Sequence, residues 1–113
     1  MMTVEELARQ LSIEIISGEK NINTEVKGVY IGDLLSWVMA HMEAQDVWIT
    51  IQTNINIVAV AALGEAACII VAEGAEIEEP TKIKAEEENI PVLRSHLSAY
   101  ELAVKINELL CSR

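Results

Sequence analysis

The chain has 113 residues, of which 51% are apolar, and Asp plus Glu outnumber Lys plus Arg 18 to 8, giving a formal charge of −10. That length suits one domain with its own core, and the apolar content excludes a disordered tail. A body this acidic repels phosphate backbones and anionic lipid heads, so nucleic acid and membrane surfaces make poor partners for it.

In chain order, "TVEELARQL" opens with Thr3 and carries Glu6 three residues on, a capping box ahead of an amphipathic helix. "IEII" reads as a strand and "SGEKNINTE" as a polar turn. Residues 26–31 form a second strand. Gly32-Asp33 then starts the helix "DLLSWVMAHM", with Asp33 expected as its N-cap. Residues 47–52, "VWITIQ", form a strand leading into Thr53-Asn54.

The most apolar stretch follows, "INIVAVAALGEAACIIVAEG". A membrane span needs about 20 apolar residues in a row, and Asn56 and Glu65 interrupt this one. An alanine-rich helix buried on nearly every face, a stop at Gly64, and a short β-branched strand account for its letters. Then come "EGAEIEEP", the charged helix "TKIKAEEEN", the strand "IPVLRS" and the closing helix "SAYELAVKINELL". Ser98 and Glu101 make a second capping box there. Strand–helix repeated four times predicts an α/β fold, a three-layer α/β/α arrangement with a mostly parallel sheet of about five strands, in one domain over residues 1–113.

Two cysteines, Cys68 in the apolar run and Cys111 near the end, have no zinc-type spacing. Cys68 reads as a small buried hydrophobe. No metal site or cofactor is expected. The opening "MMTVEELARQL" lacks the basic-then-apolar order of a signal peptide, which points to a cytoplasmic setting.

In open parallel sheets, ligands bind beyond the carboxyl ends of the strands. Those ends give the candidate ligand-binding residues Gly32, Asp33, Thr53, Asn54, Gly74, His96 and Ser98, each beside a helix start able to receive an anion. Plainer roles compete with that one. Asp33, Asn54 and Ser98 suit helix caps, and Gly74 suits a turn of positive φ. His96 is the lone histidine at a strand end, without a Ser, Cys or carboxylate at a telling spacing. Phosphate-loop, GxGxxG, HExxH and GxSxG signatures are missing, so no enzyme is expected. A small enzyme using His96 with Asp33 or Glu73, or a purely structural dimerisation unit, stand as alternatives.

Along "DLLSWVMAHM", Leu34, Leu35, Val38 and Met42 share a core-facing spacing, which leaves Trp37 and Met39 pointing elsewhere. With His41 they form a candidate contact surface. A homodimer is its simplest use, a covering loop the bland alternative.

Three stretches, "VKGVYIGDLLSWVM", "DVWITIQTNINIVAVAALGEAACIIVAEG" and "IPVLRSHLSAYELAVKI", together resemble the DRTGG domain. That domain is similar in fold to the amino-terminal domains of HPr kinase/phosphorylase and of Mur ligases. The resemblance runs from about Val4 to Leu110. Thr53-Asn54 stands where that family has Asp-Arg, Ala72-Glu73-Gly74 where it has Thr-Gly-Gly, and Ser98-Ala99 where it often has Asp-Thr. Losing the arginine and gaining Glu73 weakens the crevice as an anion site. The resemblance implies a non-catalytic regulatory module that senses a small ligand, such as a nucleotide or phosphate-bearing molecule, or docks a protein. In CBS-domain pyrophosphatases, such domains accompany nucleotide-binding CBS domains and contribute to dimer contacts. Short versions occur in anaerobes near iron-only hydrogenase genes, which implies a cytoplasmic, hydrogenase-associated partner.

Overall fold

The computed structural model describes residues 1–112. Five α-helices and five strands alternate from the second strand onward: α1 (Val4–Leu11), β1 (Glu14–Ser17), β2 (Gly28–Ile31), α2 (Leu35–His41), β3 (Asp46–Thr50), α3 (Asn56–Gly64), β4 (Cys68–Val71), α4 (Glu79–Glu88), β5 (Val92–Arg94) and α5 (Ala99–Cys111). The sheet order is β1-β5-β4-β3-β2. β2 to β5 run parallel, and β1 joins β5 antiparallel. The α/β sheet of five mostly parallel strands anticipated from the sequence is therefore present. The polar turn after β1 contains a short 3-10 helix, Glu19–Asn21.

Alternation along the strands makes the layers, because successive strand side chains point to opposite faces. Val47, Ile49, Cys68, Ile70 and Leu93 face one side and pack with Leu7 of α1 and Leu102 and Ile106 of α5. Trp48, Ile69, Val71 and Val92 face the other, against Val38 of α2, Ile57 and Val58 of α3, and Ala85 of α4. Both faces of the central strands are thus covered, which is why "CIIV" is buried at every position. Burial pushes the Cys68 thiol up to about 12, so it stays protonated. No described helix is long and apolar enough to cross a membrane.

Helix ends show where local signals hold and where packing overrides them. Ser98 Oγ accepts from the Glu101 N–H and the Glu101 carboxylate from the Ser98 N–H, completing the capping box of α5. Thr3 Oγ1 likewise accepts from the Glu6 N–H at the start of α1. Gly64, expected as a stop, instead lies inside the last turn of α3. Glu65 takes the left-handed conformation, at φ 55°. A Cβ at Gly64 would come 2.5 Å from the Met42 methyl carbon, the movable end of a flexible side chain. α3 is also less enclosed than its composition suggests, since Ala59, Ala62 and Leu63 are exposed along one stripe, Leu63 at 74%.

Candidate functional site at the carboxyl rim

The four parallel strands end level. Ile31 pairs with Ile49, Thr50 with Val71, and Val71 with Arg94, so the loops after them follow one another along one rim. Thr53, Gly74 and His96 therefore lie on the same side of the molecule, together with Gly32, Asp33, Asn54 and Ser98.

Backbone and side-chain hydrogen bonds lace these loops together. Asp33 Oδ1 accepts from Thr50 Oγ1 at 2.8 Å and from the Ile51 N–H at 2.9 Å. Gln52 Nε2 donates to the Asp33 carbonyl at 2.8 Å, and Trp48 Nε1 donates to the Gly32 carbonyl at 2.8 Å. Asp33 is therefore no helix cap. Its carboxylate clamps the β2–α2 corner to the end of β3, and α2 begins two residues later without a side-chain cap. Asn54 is not the cap expected of it, since Ile55 takes that position without a side-chain bond. Its Oδ1 accepts from the Asn56 N–H at 2.9 Å in the turn ahead of α3. Thr53 contributes its carbonyl, which accepts from Thr81 Oγ1 and the Glu78 N–H.

On the other half of the rim, the Glu73 N–H donates to the Leu97 carbonyl and the Gly74 N–H to the Ser95 carbonyl. Glu73 and Gly74 both hold positive φ, 63° and 66°. A Cβ on Gly74 would come 2.5 Å from His96 Nδ1, so the imidazole rests against the bare glycine backbone. His96 is exposed and, among the described residues, makes no hydrogen bond with a protein partner. Ser98 is committed to the α5 cap.

Sequence reasoning missed Arg94, the one basic residue at a strand's carboxyl end, and that position could have signalled it. Its guanidinium is occupied: Nε donates to the Ala75 carbonyl at 3.0 Å, and Nη2 to the Gly74 carbonyl at 2.6 Å and to Glu76 Oε1 at 3.2 Å. Gln52 was missed as well, because its role depends on Asp33 from another loop. Open hollows of 350 to 610 Å³ lie away from these loops, one of 610 Å³ between β2 and α5. Among the described residues no three His, Cys, Asp or Glu side chains gather as metal ligands would.

Beside the rim, Trp37 and Met39 of α2 are exposed, at 59% and 55%, and no loop covers them. His41 stacks on Trp37, with ring centroids 4.8 Å apart and planes 19° from parallel, and its Nδ1 donates to the Trp37 carbonyl at 2.9 Å. The histidine thus fixes the indole in place on the surface.

The family model of the DRTGG domain matches residues 6–109. The chain belongs to the DRTGG domain family. A solved structure that this DRTGG chain resembles is the CBS and DRTGG regulatory region of Clostridium perfringens pyrophosphatase, complexed with the activator diadenosine tetraphosphate. The TM-score is 0.70 at 17% identity, over 88% of this chain and 44% of that one. This is a likeness of fold, and the DRTGG chain spans less than half the length of that neighbour. No curated protein matches the sequence.

Thr53-Asn54, Ala72-Glu73-Gly74 and Ser98-Ala99 all fall on or beside the rim just described. Asp33, Glu73 and Glu76 are exposed carboxylates there, while the Arg94 guanidinium is taken up by carbonyls and Glu76. The amides of Glu73 and Gly74, which could have cradled an anion, are satisfied internally.

Proposed function

We propose that this chain is a non-catalytic regulatory module that works by docking a protein on the surface formed by α2 and the adjoining rim. The observation that carries this reading is the exposed, uncovered Trp37, held by His41 on a helix whose residues Leu35–His41 include no carboxylate, lysine or arginine. Tryptophan and methionine are enriched at interfaces, and a side chain fixed before contact loses less entropy on binding. Two kinds of occupant suit the surface. One is a second copy, making a homodimer through Trp37, Met39 and His41; the other is a different protein. Sedimentation of the wild type and of Trp37→Glu separates them. A wild-type dimer that becomes a monomer on substitution assigns the face to a second copy, and a wild-type monomer leaves it to another protein. A dimer unchanged by Trp37→Glu removes the face from self-association.

A second reading, a small-ligand crevice using Gly32, Asp33, Thr53, Asn54, Gly74, His96 and Ser98, draws support from the gathering of their loops along one rim. It extends to this chain the regulatory setting of the neighbour, which was solved with a nucleotide activator. Its weakness is electrostatic: an anion would meet Asp33 and Glu73 without a free cation. Thermal-shift measurement against nucleotides and acyl phosphates tests it, since a ligand held at its dissociation constant a hundredfold over raises stability by about 2.7 kcal/mol. No change in melting temperature with any of them discards the crevice and leaves the docking face.

A further inference from the structure

Between Lys27 and Lys82 the sequence contains no lysine or arginine. That stretch builds β2, α2, β3, α3 and β4, and its exposed carboxylates include Asp33, Glu43, Glu65 and Glu73. α2 and α3 pack side by side and carry no carboxylate, lysine or arginine of their own. Val38 faces the core between Trp37 and Met39, which emerge on its two flanks. The exposed apolar residues of the two helices and their entrances are Trp37, Met39, Ile55, Leu63 and Leu34, the last expected from the sequence to face the core, each at least 44% exposed.

The carboxylates are not scattered over this face; they stand at its two ends. Asp33 precedes α2 at the rim, and its clamp on Thr50 and Ile51 holds the two corners together. Glu43 and Glu65 follow α2 and α3 at the opposite end, where the Gln45 N–H donates to the Glu65 carbonyl at 2.8 Å and keeps the two helix ends adjacent. The result is an apolar strip closed at each end by negative charge; the lysines of the neighbouring α4, Lys82 and Lys84, are paired with Glu79, Glu87 and Glu88. α3, nine residues long, sets the strip's length at about 14 Å.

Resting on the docking reading above, we propose that this strip receives a cationic amphipathic helix from a different protein. The helix would lay apolar residues over Trp37, Leu34 and Leu63 and carry lysine or arginine at both ends. Charge decides among occupants. A second copy would bring its own Asp33, Glu43 and Glu65 to the contact, carboxylate against carboxylate, and such like-charge contacts cost several kcal/mol across an interface. An anionic membrane is repelled for the same reason. A basic amphipathic helix satisfies both parts of the face at once, as helix-in-groove recognition requires.

The probe is a 14-residue amphipathic peptide of leucine and lysine, compared with its counterpart having glutamate for every lysine. Trp37 is the exposed indole and Trp48 the buried one, so binding reads out as a blue shift of Trp37 emission. The expected result is a saturable shift with the lysine peptide and none with the glutamate peptide. Affinity should fall at least tenfold between 50 and 500 mM salt, and at least tenfold in Glu43→Lys/Glu65→Lys. The pair Glu86→Lys/Glu87→Lys on α4 should leave it unchanged. Equal loss in the α4 variant would mean adhesion to acidic surface in general and overturns the proposal, as does equal binding of the glutamate peptide. A dimer at low salt that Trp37→Glu abolishes hands the strip to a second copy, overturning the cationic partner while keeping the docking face. If Trp37→Glu alters neither mass nor peptide binding, the latter followed by titration calorimetry because the variant lacks the reporter indole, the docking reading itself falls.

Discussion

Glu73 holds a φ of 63° although it carries a side chain. Ser12, Glu65 and Asn89 also take the left-handed region, but each closes a helix there, whereas Gln45, at φ 67°, like Glu73 sits in a turn. Glu73 closes none; it sits in the tight turn after β4, ahead of Gly74. A left-handed conformation costs a side-chain-bearing residue roughly 1–2 kcal/mol. Glu73→Gly is therefore expected to stabilise the fold by about 1 kcal/mol, seen as a rise in melting temperature of roughly 4 °C or more in calorimetry. Asp33 shows what one residue's sequence context leaves out. A carboxylate ahead of an apolar helix suits a cap, and the same letter suits a clamp; the choice is made by Thr50 and Ile51, 17 and 18 residues away. Asp33→Ala should cost about 1.5–3 kcal/mol in urea unfolding, the usual worth of hydrogen bonds to a charged group. Gly74 and Ser98 were legible because their work is local.

Elements were legible wherever their signal lay within a few residues. The capping box of α5 needs only Ser98 and Glu101, and the buried strand β4 needs only its own β-branched run. The Glu101 carboxyl is held below the usual glutamate range by the hydrogen bond from the Ser98 backbone, helped by the Ser98 side chain. A carboxyl lowered in the folded state adds stability above its unfolded value and loses it as the pH falls through the folded one. The stability difference between wild type and Glu101→Gln should accordingly shrink as the pH drops below the normal glutamate range, measured by urea midpoints across pH. A difference independent of pH would show that the box holds without its charge. The stop at Gly64 was placed one residue early, because Glu65 itself takes the left-handed position that glycine usually fills. The exposed stripe of α3 was hidden as well, since alanine and leucine suit a core and a contact surface alike.

For the whole molecule, strand–helix alternation was enough to anticipate the layered sheet, because a parallel sheet buries both faces and leaves near-continuous apolar strands in the sequence. The antiparallel β1 at the far edge was not anticipated, because one short strand says nothing of its direction. Charge distribution was also under-read: the total of −10 is a property of composition, while the absence of lysine and arginine from 28–81 matters only once that segment is seen to build one side of the fold. The two helical layers differ accordingly. α1 and α5 lie on the side away from α2, α3 and α4, and Met1 and Leu110 border one hollow there. Neighbouring ends are what allow a domain to be spliced into a longer polypeptide without disturbing it. Tethers attached at either end would leave from behind the sheet, so a fused enzyme or sensor could hang on the back while the tryptophan side stays open to visitors.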